Sequence, residues 1–141
     1  MAIHVYRSVA YWSETDAAGI VHFSNFFRYC ERAEEDFWLS RYGLSSGVGA
    51  ESNILFPRVR AGCIYHYPIY PYDRYRVEIV DVLVGEKSIQ YSHRIYNESR
   101  GGVLSAECEV IAVCIDRESF RSIPIPEEIR RFLFENGARP K

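Results

Sequence analysis

No run of apolar residues in this chain approaches the ~18 that a membrane-spanning helix requires. The start, from Met1 to Arg7, lacks the basic and then apolar order of a secretory signal. Both absences point to a cytoplasmic protein with no membrane partner. An excess of positive charge is missing as well: 17 Lys and Arg stand scattered against 19 Asp and Glu, for a formal net charge of -2. A dedicated nucleic-acid partner is therefore not expected. Cysteine is scarce, with Cys30, Cys63, Cys108 and Cys114 the only four, and no Cys-x-x-Cys pair occurs. The spacing does not suggest a zinc site, and the apolar or alternating surroundings predict buried, reduced thiols.

What is present is ordinary for a globular chain, with 48% hydrophobic and 26% charged residues. This composition argues against intrinsic disorder. Its 141 residues fit one domain, 1–141, able to bury roughly two thirds of the surface that the unfolded chain would expose. No repeat or linker interrupts it.

Periodicity orders the elements. Ile3 to Trp12 reads as a strand covered on both faces. Ser24 to Arg41 reads as a helix whose stripe is Phe26, Cys30, Ala33 and Phe37, with Arg32 and Asp36 spaced for an i, i+4 ion pair. Gly43 suits the left-handed residue after its end. Ser45 to Asn53 has no clear period and is the candidate for a mobile flap. Ile54 to Tyr70, Tyr75 to Val84, Ser88 to Tyr96 and Val103 to Ile115 read as strands. On the last, one parity runs Leu104, Ala106, Cys108, Val110, Ala112, Cys114, small enough for the Phe-rich helix to lie against. Glu127 to Glu135 closes the chain as a short helix. Strands in a block after one helix predict an α+β fold with a largely antiparallel sheet and the helix on one face. Apolar residues on both parities of several strands predict oligomerisation.

The stretch from Glu14 to Phe27 holds the chemistry. One carboxylate, Asp16, sits beside the small turn Ala17-Ala18-Gly19, an apolar step, and then two candidate caps, Ser24 and Asn25, at the helix start. A helix N-terminus leaves backbone N–H groups unpaired, with partial positive charge, and can hold an anion or a developing oxyanion. A carboxylate on the preceding turn could act as general base or nucleophile on a carbonyl bound there. The same residues also fit a capped helix preceded by a solvated acidic turn.

The string T-D-A-A-G-I-V-H-F-S-N-F-F-R-Y-C-E-R-A-E-E-D-F resembles the hotdog-fold acyl-CoA thioesterases of the 4-hydroxybenzoyl-CoA thioesterase type. G-E-K-S-I at a strand start and the late R-S-I-P-I-P-E-E-I-R support the likeness, which spans nearly the whole chain. The resemblance implies an antiparallel sheet wrapped around one long central helix, dimers that pair into homotetramers, and hydrolysis of an acyl-CoA to free acid and coenzyme A without metal or other cofactor. Transferred to this sequence, the catalytic acid is Asp16 and the oxyanion donor is the backbone N–H of Phe23, with Gly19 shaping the approach. Coenzyme A contacts fall on Lys87 and Ser88, and His22 lies beside the acyl group.

Two rivals share the fold. A 3-hydroxyacyl thioester dehydratase would use His22, and a non-catalytic module would bind acyl-CoA without turnover. Glu31 and Glu35 stand where another branch places a helix carboxylate, but their charged neighbours favour a solvated face. His66 and His93 read as packing or surface residues of strands.

Overall fold

The computed structural model describes residues 1–43 and 52–141. The expected flap, Ser45 to Asn53, lies almost wholly outside the described residues. In chain order the elements are β1 (His4–Val9), α1 (Asn25–Arg41), β2 (Ile54–Leu55), β3 (Arg58–Tyr65), β4 (Arg74–Val84), β5 (Ser88–Asn97), β6 (Val103–Val113), β7 (Ile115–Asp116), α2 (Glu127–Glu135) and β8 (Arg139–Pro140). Single 3-10 turns follow β1 and β5.

The main sheet runs β1-β4-β5-β6-β3, antiparallel throughout, with β8 added in parallel along the end of β4. Two long hairpins, β4–β5 and β5–β6, build its centre. Alternation explains which face is dry: Ile89, Tyr91, His93 and Ile95 on β5 are buried together. On β4 the buried set changes parity, from Tyr75, Val77 and Ile79 to Val82 and Val84. A bulge causes the switch, because the register steps from Ile79 opposite His93 to Asp81 opposite Ser92 and leaves Val80 without a partner. Gly85 to Lys87 is the hairpin turn, closed by Gly85 N–H donating to Ser88 C=O at 2.8 Å.

α1 lies on that dry face. Phe26, Cys30, Ala33 and Phe37 are each at most 4% exposed, as the spacing predicts, and Tyr29 and Trp38 widen the stripe. Each large side chain so buried is worth about 2 kcal/mol of hydrophobic stabilisation. The small parity of β6 makes room for them: Ala106 and Cys114 are fully buried in the same core, and Ala112 is fully buried as well. Trp38 would strand its indole N–H there, and instead donates it to Tyr91 Oη at 3.0 Å. Gly43 takes φ +91 just past the helix, as its chemistry allows.

Two expectations are corrected and a third is narrowed. Cys63 and Cys108 are not reduced thiols but a disulfide, since β3 and β6 place them directly opposite each other. Linear spacing holds no trace of that register. Cys30 and Cys114 are free and buried. Arg32 does not pair with Asp36: Arg32 Nη1 reaches Glu14 Oε2 at 3.0 Å, and Asp36 Oδ2 contacts His4 Nε2 at 2.7 Å. Partners from outside the helix win because they satisfy half-buried charges that a neighbour one turn away leaves in water. Of the two readings of His93, packing holds and surface does not, and its packing is polar as well as aromatic. At 1% exposure its Nε2 lies 2.8 Å from Glu34 Oε2, and Arg58 Nη2 meets Glu34 Oε1 at 2.8 Å.

Candidate active site

After β1 the chain cannot stay in the sheet, and it folds through a 3-10 turn, Trp12–Glu14, into a loop that returns at α1. Asp16 N–H donates to Ile20 C=O at 2.8 Å and Gly19 N–H to Asp16 C=O at 3.0 Å, which closes the small turn. Gly19 has φ +80, a backbone region that costs a side-chain-bearing residue roughly 1–2 kcal/mol. A Cβ at this position would meet nothing within 4 Å, so the cost is backbone alone. Gly19→Ala is expected to lower stability by about 1 kcal/mol, read as a shift in urea midpoint without a change in slope.

Asp16 is half-buried. Its Oδ1 accepts the Ala18 N–H at 2.8 Å, a side-chain turn that fixes the carboxylate. Oδ2 has no hydrogen-bond partner among the described residues and is left to bind water or substrate. The carboxylate borders a cleft of about 500 Å³ whose walls include Phe23, Phe26, Tyr65, Tyr67 and Pro68. Such walls suit a flat apolar group. Val21 N–H bonds to Ile69 C=O at 2.8 Å and Tyr65 Oη–H donates to Phe23 C=O at 2.9 Å, so loop, helix start and β3 hold one another across the cleft.

The helix start differs from expectation. Neither Ser24 nor Asn25 caps α1 with its side chain. Ser24 is already in helical geometry, and its hydroxyl is 2.8 Å from His22 Nδ1. Asn25 Nδ2 donates backwards to Glu14 C=O at 2.8 Å. Around this turn the backbone donors are used up in order: His22 N–H goes to Glu14 C=O, Ser24 N–H to His22 Nδ1, and Asn25 N–H to His22 C=O. Phe23 N–H alone in that run has no acceptor among the described residues. Because a trans peptide sets N–H and C=O in opposite directions, the His22 carbonyl that faces Asn25 turns the Phe23 N–H away from the helix. Asp16 and Phe23 thus border one cleft, and each has a polar group without a partner among the described residues, with Phe23 62% exposed.

The remaining candidates separate. His22 stacks on the Phe23 ring with centroids 4.5 Å apart, and its Nδ1 is engaged by Ser24, which suits a packing role. Lys87 and Ser88 sit on the β4–β5 turn, whereas Asp16 lies past the opposite end of β4, where Ala10 N–H bonds Asp73 C=O. A strand of 11 residues spans roughly 35 Å, so one chain does not bring Lys87 and Ser88 to its own Asp16. Glu31 and Glu35 are exposed, and His66 contacts Glu107 at 3.0 Å on the surface. Glu14, not singled out from the sequence, is buried, and so is Glu34. Glu34 had a visible signal, since it falls on the apolar stripe between Cys30 and Phe37. Glu14 had none beyond its closeness to Asp16. Among the described residues, no three His, Cys, Asp or Glu are grouped to hold a metal, and no helix is long and apolar enough to cross a membrane.

The chain is similar in sequence and in fold to known proteins. The sequence profile described as the thioesterase-like superfamily matches residues 10–133. A 1,4-dihydroxy-2-naphthoyl-CoA hydrolase of Thermosynechococcus vestitus is 30% identical over 129 residues, covering 91% of this chain and 86% of its own length. Its counterpart from Microcystis aeruginosa is 26% identical over 129 residues, covering 91% of each. Among solved structures, a gentisyl-coenzyme A thioesterase superposes with TM-score 0.76 at 25% identity, over 89% of this chain and 98% of its own. A hypothetical protein of Thermus thermophilus does so with TM-score 0.82 at 30% identity, over 94% and 98%.

Proposed function

The chain belongs to the thioesterase-like superfamily, and from that premise we propose that it hydrolyses an acyl-CoA thioester to free acid and coenzyme A at the cleft bordered by Asp16. The observation that bears the most weight is that Asp16 and Phe23 border one cleft, while an oxygen of the first and the N–H of the second have no partner among the described residues. A thioester carbonyl seated on that N–H gains a donor as its oxygen becomes negative, and one such donor is worth on the order of 3 kcal/mol in the transition state. Asp16 then either attacks the carbonyl carbon to give an anhydride or takes a proton from an attacking water. Thiolate leaves readily, so no strong acid is needed opposite.

The relatives' names support the superfamily and not the 4-hydroxybenzoyl-CoA subdivision that the sequence resembles. Three of the relatives compared are named for hydroxylated aromatic acyl groups, and the walls of Phe23, Phe26, Tyr65 and Tyr67 support the same substrate class here. The assembly belongs to this proposal: a sheet wrapped around one central helix, a homodimer, and a homotetramer built from it. The far placement of Lys87 and Ser88 supports it, since they meet a coenzyme A only from another copy of the chain. A cytoplasmic site of action is also part of it. The Cys63–Cys108 disulfide weighs against that element, because reducing compartments keep most thiols reduced.

A panel of thioesters tests the substrate, with coenzyme A release followed by a thiol reagent. Aromatic acyl-CoAs are expected to exceed straight-chain ones of similar size by at least tenfold in kcat/KM, a difference of about 1.4 kcal/mol. An equal or reversed ranking overturns the aromatic preference. An enoyl thioester accumulating in place of free acid would point to the dehydratase that His22 could serve.

A further inference from the structure

We infer that Glu14 is a positioning residue that locks the carboxylate and the N–H donor of this site into one unit, an inference that rests on the proposed roles of Asp16 and Phe23. Glu14 is 8% exposed and lies two residues before the acid. Its carboxylate holds groups from two directions: Oε1 accepts Tyr11 N–H at 2.8 Å and Tyr29 Oη–H at 2.9 Å, and Oε2 receives Arg32 Nη1 at 3.0 Å. Tyr11 ends the run out of β1, whereas Tyr29 and Arg32 stand on successive turns of α1. The side chain therefore bolts the loop to the rigid helix.

Its main chain does a second job. Glu14 C=O accepts His22 N–H at 2.9 Å and Asn25 Nδ2–H at 2.8 Å. Those two bonds orient the turn whose next peptide carries the Phe23 N–H, at a residue that borders the cleft. One residue thus sets the carboxylate through the chain that follows it and the donor through the carbonyl it offers. Both halves of the chemistry move if Glu14 moves.

The helix side of the bolt is itself braced. Tyr29 stacks on Tyr75 with ring centroids 4.0 Å apart, Arg32 lies over the Tyr29 ring at 5.4 Å, and Arg32 Nη1 comes within 3.5 Å of Tyr75 Oη. Burial, and then the bond to the Glu14 carboxylate, push the Tyr29 hydroxyl far above its ordinary pKa. It stays a donor at every pH at which the protein would be assayed. A buried carboxylate with these three partners is satisfied. No atom of it is aimed at the cleft, which is why its part is positional.

Glutamine separates the roles of charge and shape. In Glu14→Gln one oxygen still accepts from Tyr11 and Tyr29, but the atom facing Arg32 becomes an NH2 pointed at a guanidinium. In the full-length chain, with the best thioester of the panel, kcat is expected to fall on the order of 30-fold while KM stays within about threefold, the signature of misplaced reacting groups. Tyr29→Phe, which removes one bond and leaves the charge pair, is expected to lower kcat about fivefold and covers the case in which the glutamine variant does not fold. Leu133→Ala, remote on α2, serves as a control that loses stability but keeps both constants. Full kcat in folded Glu14→Gln, or unchanged kcat in Tyr29→Phe where the former does not fold, overturns the inference. Asp16→Asn is assayed alongside. If that variant retains turnover the underlying site assignment fails, and if it is dead while Glu14→Gln is fully active only the positional role fails.

Discussion

Asp16→Asn is expected to lower kcat by about a thousandfold, the range for removing a general base or nucleophile, while KM and the fold stay close to wild type. Asparagine has the same shape, and its carbonyl oxygen still accepts the Ala18 N–H that Oδ1 holds at 2.8 Å. Ligand binding should persist, because the cleft walls and the Phe23 N–H are untouched. Stopped-flow measurement of thiol release gives kcat, and equilibrium titration with a non-hydrolysable acyl-CoA ether gives affinity. Turnover within tenfold of wild type would remove Asp16 from the chemistry. A binding module without catalysis would bind equally before and after the change and release no thiol in either form.

The largest expected effect on stability falls on a different cluster. Glu34 is 1% exposed and takes His93 on one oxygen and Arg58 on the other, each at 2.8 Å. Truncation to alanine leaves a buried imidazole and a half-buried guanidinium without their counter-charge, an effect worth about 3–5 kcal/mol. Against the ~5–15 kcal/mol by which such domains are stable, that is enough to bring the chain near unfolding. Chemical denaturation of Glu34→Ala measures it, and a loss below 1 kcal/mol would mean that the three groups relax into water instead. Arg58 also stacks over the Tyr91 ring at 5.5 Å, so Arg58→Ala loses packing as well as charge.

The same cluster sets a pH dependence. Burial pulls the His93 pKa down, but the neighbouring Cys30 thiol and the Glu34 carboxylate outweigh it and push it up to about 10. A folded value raised above the unfolded ~6.5 means stabilisation that is complete below pH ~6.5 and lost as pH climbs through 10. Melting temperature should therefore fall between pH 7 and 10 by more than in His93→Gln. Parallel curves for the two proteins would show that His93 does not hold the extra proton.

Much of the fold was legible in the sequence because it rests on periodicity. The helix stripe from Phe26 to Phe37, the alternation along β5 and the small parity of β6 each state which side must be dry. The end of α2 at Glu135 and the turn at Gly43 follow from local chemistry alone. Glu34 and His93 were visible as polar residues on apolar faces, yet nothing in either element says that one answers the other across the interior. Val80 illustrates the limit for strands: Tyr75 to Val84 reads as a strand, but only the pairing with β5 reveals that a bulge reverses the faces. Ser24 and Asn25 have the composition of caps and are used otherwise, since Glu14 C=O offers Asn25 a buried acceptor.

By itself the sequence determined the order of the main elements, the faces that α1, β5 and β6 bury, the superfamily resemblance and the presence of a carboxylate at position 16, because those depend on neighbours a few residues apart. Tertiary structure alone decided that Cys63 meets Cys108, that Arg32 and Asp36 look away from each other, that Glu14 braces the site loop, and that Lys87 stands at the far end of the sheet from Asp16. A hydrogen bond or ion pair goes to the partner that removes the most unsatisfied polar surface. Which partner that is depends on which strands lie side by side, a fact of three dimensions that no spacing along the chain encodes.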